Sequence, residues 1–336
     1  MEKEAEFWKV VKDKIVQCEL CPHLCVLKPG QVGKCHVRRN KNGKLISLNY
    51  SRPCSISLDP IEKKPLYHFL PGEKALSIAT AGCNLRCGHC QNWEISQCGV
   101  DKVPSLNVKP EQVVKEAGER NVKIISYTYT EPTIFYEYMS DIAKVAVKKK
   151  IKNTTVTNGF INPKPLKELC KYLDASNIDL KSMENDFYER VCGGKVAPVL
   201  NSIKIMKEKK VWIELTNLLI PGLNDSDKDI RELVKWVKKN LGKDVPIHFT
   251  AFYPTFKLIN LPPTSIKTLR RARKMAMAQG LNYVYTGNLP DDEGNHTYCP
   301  KCKKIVIKRR LFSVIENNIK RGKCSNCNEK IAGIWS

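Results

Sequence analysis

Ala79-Thr80-Ala81-Gly82-Cys83-Asn84-Leu85-Arg86-Cys87-Gly88-His89-Cys90-Gln91-Asn92-Trp93 is the stretch on which the reading of this 336-residue chain turns. The apolar run Ala75-Leu76-Ser77-Ile78-Ala79 reads as a buried strand, so the three cysteines sit on a loop at a strand's end. Three thiolates this close together suit three corners of a cubane 4Fe-4S cluster and leave the fourth iron open to a small molecule. Zinc suits the loop less well. A structural zinc takes four ligands, and His89 lies inside the second cysteine pair, where its backbone already serves the turn.

Outward from that loop, the length is ample for one large α/β domain with small appendages. Lys and Arg number 57 against 34 acidic residues, a net charge of +23. Such an excess suits an anionic partner, nucleic acid or an acidic protein face. It is equally the product of lysines spread over solvated helices, as at Lys148-Lys149-Lys150 and from Lys207 to Lys210. No interleaving of aromatic and basic residues favours nucleic acid. The start, Met1 to Val16, is charged and amphipathic and unlike an export signal, and no apolar run approaches the roughly 20 residues needed to cross a bilayer. The expectation is a cytoplasmic protein with no membrane association, whose 15 cysteines stay reduced and are committed to metal.

Three regions follow. Residues 1–74 form a Cys-rich N-terminal metal-binding segment with Cys18, Cys21, Cys25 and Cys35 as ligands and His23, His36 and Cys54 as spares. Zinc and a second iron-sulfur cluster both fit that spacing; a structural site is favoured because no open coordination position is evident. Lys44–Leu48 and Cys54–Leu58 read as a short hairpin, and the proline-rich stretch 59–72 as a polar lead-in. Over residues 75–290, strand-like and helix-like segments alternate about six times, which predicts a parallel sheet with outer helices: an α/β fold, a partial or full (β/α) barrel with its chemistry at the carboxyl ends of the strands. In residues 291–336, Cys299-Pro300-Lys301-Cys302 and Cys324-Ser325-Asn326-Cys327 are two Cys-x2-Cys knuckles that predict a C-terminal zinc ribbon, with a ferredoxin-like cluster as the alternative.

The Cys-x3-Cys-x2-Cys spacing of Cys83, Cys87 and Cys90, with Trp93 soon after, resembles the cluster loop of the radical S-adenosylmethionine (radical SAM) superfamily. The resemblance implies that the open iron chelates SAM and passes one electron to its sulfonium, giving methionine and a 5'-deoxyadenosyl radical that abstracts hydrogen from a substrate. It also implies a one-electron donor such as ferredoxin or flavodoxin.

In that setting, residues at the strand ends become candidates for SAM contacts. Glu131 in Tyr127-Thr128-Tyr129-Thr130-Glu131-Pro132 would accept from the ammonium, or would simply cap a helix N-terminus. Radical SAM enzymes usually place two glycines just before this acid, and here the positions are Tyr129 and Thr130, so the backbone grip on the amino group is expected to differ. Thr157 and Asn158 suit ribose or methionine contacts, although Asn158-Gly159 is also an ordinary turn. Asp179 and Lys181 lie on one face of a strand, two residues apart, where they would fix ribose hydroxyls and the methionine carboxylate or satisfy one another. His248 is either near the adenosyl group and substrate or a satisfied core histidine.

Tyr-Thr-Glu-Pro, Thr-Asn-Gly-Phe, Asp-Leu-Lys and Ile-Pro-Gly-Leu-Asn-Asp are similar to the pyruvate formate-lyase activating enzyme branch over roughly residues 75–290. The Cys-rich head, Tyr-Thr-Gly-Asn, and a tail ending in Gly333-Ile334-Trp335 look like the AmmeMemoRadiSam system radical SAM enzymes over nearly the whole chain. The resemblance implies an activase-like oxidoreductase acting on a protein or other macromolecule. Two further readings stand beside it: a radical SAM enzyme that modifies RNA, and a non-catalytic metal and nucleic-acid-binding protein.

Overall fold

The structure, a computed structural model, describes residues 2–336; Met1 of the amphipathic start lies outside them. Six short strands build the head: β1 (Lys3–Glu4), β2 (Trp8–Lys12), β3 (Ile15–Cys18), β4 (Val26–Leu27), β5 (Arg38–Lys41) and β6 (Lys44–Ser47). They form two small sheets, β2-β3-β4 and β1-β6-β5. Asn42 and Gly43 both take positive φ, +51° and +95°, and so close the two-residue turn that folds β6 back on β5.

That turn displaces the expected hairpin of 44–48 with 54–58. Residues 54–58 belong instead to β7 (Pro53–Pro60), which pairs antiparallel with β8 (Lys74–Thr80), Ile56 opposite Ile78. From β8 the chain runs in one direction through β9 (Ile124–Tyr127), β10 (Lys152–Thr157), β11 (Ala175–Asp179), β12 (Trp212–Leu219), β13 (Ile247–Ala251) and β14 (Val284–Gly287), each pairing parallel with the next. The resulting eight-stranded sheet is parallel except for the β7–β8 pair and has β7 and β14 as its edges. Strands buried on both faces, such as the wholly buried Ile124–Tyr127, need helices outside and an apolar filling inside.

The crossover helices supply the outer layer. Asp227–Leu241 buries Ile230, Leu233, Val234, Val237 and Leu241, the three-and-four spacing of one helical stripe. Its start is fixed by Ser226, whose hydroxyl accepts from the Asp229 N–H while Asp229 reaches back in a capping box.

The tail carries β15 (Thr297–Tyr298), β16 (Ile305–Arg310), β17 (Ser313–Asn317), β18 (Ile319–Lys320) and β19 (Lys323–Cys324). A small apolar cluster of Tyr67, Tyr283, Tyr285, Val306 and Ile331 fastens it to the barrel. Polar ties sit within that cluster. His68 donates from Nδ1 to the Ala332 carbonyl at 2.6 Å and accepts at Nε2 from the Tyr285 hydroxyl at 2.5 Å. The fully buried Arg309 donates to the Tyr67 carbonyl at 2.7 Å and to Thr297 Oγ1 at 2.8 Å. Among the described residues, no helix is long and apolar enough to cross a membrane.

Candidate metal and cofactor site

The loop after β8 carries Cys83, Cys87 and Cys90 to the edge of a cavity of about 510 Å³. Its walls come mostly from the carboxyl ends of successive strands, Thr128 to Glu131 after β9, Thr157 and Asn158, Asp179 and Lys181, then Gly287 and Asn288, with Thr216 and His248 contributed from within β12 and β13. This is the end of a β/α sheet where chemistry gathers.

The loop is pinned from several sides. Asn84 Nδ2 donates to the Phe160 carbonyl at 2.7 Å, and Asn158 Nδ2 to Asn84 Oδ1 at 2.9 Å. The N–H groups of Arg86 and Gly88 donate to the carbonyls of Cys192 and Val191 at 2.7 and 2.9 Å. Gly82 has φ +98°, and a Cβ there would lie 2.5 Å from the Cys35 carbonyl oxygen, so only glycine fits.

Does the donor set suit a cluster with an open iron? All three thiols are free and border the cavity. Among the described residues, the groups of three or more ligand atoms that lie within 4.8 Å of one another are Cys299/Cys302/Cys324/Cys327 and Cys87/His89/Cys192. The trio is more widely set, as sulfurs on the outer corners of a cubane must be. Three soft ligands facing a roomy cavity that also holds charged and hydroxyl side chains fit a site-differentiated cluster better than a closed zinc site.

The candidate SAM-contact residues all border this one cavity. Glu131 is buried and does cap the turn that begins at Pro132: it accepts from the Thr133 N–H at 2.9 Å. It also accepts from Thr157 Oγ1 and the Asn158 N–H, both at 2.7 Å, so three of the expected residues form one unit. Burial pushes the Glu131 carboxyl above its usual value. Asp179 and Lys181 satisfy one another at 2.8 Å while facing the cavity. His248 Nε2 lies 2.8 Å from Glu214 Oε2, and the residue also borders the cavity. Glu214 also accepts from the N–H groups of Tyr67 and His68.

Tyr129 stands where a glycine is usual and nonetheless takes the left-handed conformation, φ +65°. Its carbonyl accepts from Asn92 Nδ2 at 2.8 Å and its hydroxyl donates to Asp59, so side-chain ties hold a backbone shape that glycine would reach freely.

Several site residues have no local signal in the sequence. Asp59 accepts from Lys63 and Lys64 at 2.8 Å each, and these hydrogen bonds outweigh the burial that would raise its carboxyl, holding it well below the usual range. Burial lowers Lys64 to about 8. Cys192 approaches Cys87 from the turn Tyr188–Cys192, and a hydrogen bond from its thiol lowers Cys87. His89 is buried with neither ring nitrogen hydrogen-bonded. Phe312, at the tip of the β16–β17 hairpin, stands in the cavity wall, over 220 residues from the cysteine loop. Only the fold brings these groups together.

At the tail, Cys299 and Cys327 Sγ are 3.5 Å apart and Cys302 and Cys324 Sγ 3.8 Å apart, a closed cluster. At the head, Cys18, Cys21, Cys25 and Cys35 line a small cavity of their own.

Comparison with known proteins accords with this site. Residues 77–237 match the family described as the Radical SAM superfamily. The chain is 44% identical over 331 residues, 98% of each chain, to an uncharacterized protein of Methanocaldococcus jannaschii. It is 26% identical to the 4-hydroxyphenylacetate decarboxylase activating enzyme of Clostridium scatologenes over 34% of this chain and 38% of that one. Against pyruvate formate-lyase 1-activating enzyme of Escherichia coli K12 it is 23% identical, over 61% of this chain and 89% of that one. Streptococcus suis SuiB bound to precursor peptide SuiA shares the fold with TM-score 0.51 and 19% identity, over 68% of this chain and 51% of SuiB. The cysteine loop, the parallel sheet that presents it and these relatives agree: the chain belongs to the radical SAM superfamily, with homology to pyruvate formate-lyase activating enzymes.

Proposed function

We propose that this protein is a radical SAM enzyme in which Cys83, Cys87 and Cys90 hold a 4Fe-4S cluster and the substrate is a protein or other macromolecule. When bound, the cluster supplies one electron for reductive cleavage of SAM to methionine and the 5'-deoxyadenosyl radical, which then abstracts hydrogen. The observation that carries this reading is the placement of three free thiols on the rim of one cavity with Glu131, Asp179 and Lys181.

The chain's own groups then have separable tasks. Glu131, braced by Thr157 and Asn158, offers negative charge to an ammonium. Lys181 attracts a carboxylate and Asp179 accepts from ribose hydroxyls. His248 forms part of the floor with Nε2 already engaged by Glu214. Buried walls keep water from a reactive intermediate. A low-potential carrier of the ferredoxin or flavodoxin class supplies the electron, and the cytoplasm suits the oxygen-sensitive centre. Zinc in the tail quartet folds that segment, which has little apolar core. Activating-enzyme homology favours a protein substrate over RNA.

The test is anaerobic reconstitution with iron and sulfide, reduction with dithionite and assay for 5'-deoxyadenosine. Product is expected, and its absence from protein with an intact, reducible cluster would overturn the proposal.

A further inference from the structure

The spacing of the head cysteines leaves zinc and an iron-sulfur cluster equally open, but their arrangement in space does not. A zinc ion with Zn–S bonds of about 2.3 Å in a tetrahedron draws its four sulfurs to about 3.8 Å from one another. The tail quartet has that geometry, with separations of 3.5 and 3.8 Å and all four sulfurs within 4.8 Å. Among the described residues, no three of Cys18, Cys21, Cys25 and Cys35 gather within that limit. In this they match Cys83, Cys87 and Cys90, the expected ligands of a cubane, which do not gather either.

The space between them agrees. All four head cysteines line one cavity of about 20 Å³, room for a water-sized sphere. Arg38 is 2% exposed and borders this cavity; its Nη2 is ion-paired with the buried Glu137, and its Nη1, which donates to the Glu6 carbonyl at 3.0 Å, lies 3.9 Å from Cys18 Sγ. Backbone N–H groups of His23 and Val37 point to the sulfurs of Cys21 and Cys35.

We propose that Cys18, Cys21, Cys25 and Cys35 ligate a second 4Fe-4S cluster, closed on all four irons and seated directly against the SAM-cluster loop. Its ligand loops and that loop touch. His23, between two of the ligands, has Nε2 2.7 Å from the Asn84 carbonyl, and the Lys34 carbonyl and His36 ring, on either side of Cys35, meet the Arg86 guanidinium. Gly82 packs on the carbonyl of Cys35 itself. The inference rests on the reading of the preceding section for its yardstick, the Cys83/Cys87/Cys90 site.

Iron, sulfide and zinc counted on anaerobically reconstituted full-length protein decide it without any variant. About eight irons and one zinc per chain are expected, and about four irons with two zincs would overturn the proposal. The triple variant C83A/C87A/C90A should keep about four irons, with an EPR signal after dithionite that does not respond to SAM; loss of all iron would count against the head cluster. C21S/C25S should lose about half the iron and keep the tail zinc, which reports that the chain has folded. If the triple variant kept all its iron while C21S/C25S lost iron, the SAM-site reading would fall and the head cluster would stand. If C21S/C25S kept all its iron, only the head cluster would fall. When both clusters are reduced, their spectra should show spin-spin broadening that disappears in either variant, because adjacent loops place two paramagnets side by side.

Discussion

Single residues carry the tightest constraints. Gly82 combines a positive φ with a carbonyl 2.5 Å from where a Cβ would be, so Gly82→Ala should cost about 1–3 kcal/mol in urea unfolding and lower the iron bound in the cysteine loop. Alanine at Cys83, Cys87 or Cys90 should abolish 5'-deoxyadenosine formation and leave the tail zinc in place, and full turnover by Cys83→Ala would show that the loop is misassigned. Legibility at this scale depended on distance along the chain. The cysteine loop, the Asp179–Lys181 pair and the three-residue unit of Glu131, Thr157 and Asn158 announce themselves by short spacings or by sitting at strand ends. Cys192 beside Cys87, Tyr129 on Asp59 and Phe312 in the cavity wall do not, because each is a contact between segments that nothing local links. A tyrosine at 129 takes the left-handed backbone conformation that glycine reaches freely, and two hydrogen bonds, from Asn92 to its carbonyl and from its hydroxyl to Asp59, hold it there.

Among the elements, the βα alternation was legible because each type has its own period: continuous apolar runs for strands buried on both faces, and a three-and-four stripe for the helices packed on them. The cap at Ser226 gives a local measure of that packing. Ser226→Ala removes the acceptor for the Asp229 N–H and should cost about 1 kcal/mol in chemical denaturation, with little effect on metal content. The misread element was β7. Its residues looked like half of a local hairpin because the Asn42-Gly43 turn, which closes the true hairpin one step earlier, was not used. Once β5 and β6 pair, 53–60 has no partner in the head and extends the central sheet at its edge. Curvature of the sheet was not legible either, since whether β14 returns to the first strand depends on the accumulated twist of all the others.

On the scale of the whole molecule, the buried polar seam between barrel and tail predicts how the protein responds to acid. Burial lowers His68 from 6.5 to about 4, so the unfolded chain takes up a proton at a higher pH than the folded one. The stability that neutral His68 contributes is present above pH 6.5 and is lost as the pH falls toward 4, about 2 kcal/mol of it between pH 7 and pH 5. Urea unfolding at those two pH values should show a larger drop for the native chain than for His68→Gln; equal drops would mean that this histidine does not govern the response. The hairpin beside that seam sets Phe312 in the wall of the cysteine-loop cavity. One wall of the cavity is thus furnished by a residue far along the polypeptide from the cysteine loop, and a ribosome finishes that loop well before it reaches the hairpin. Exchanging the β16–β17 hairpin would therefore reshape that wall while leaving Cys83, Cys87 and Cys90 and the strand-end residues in place.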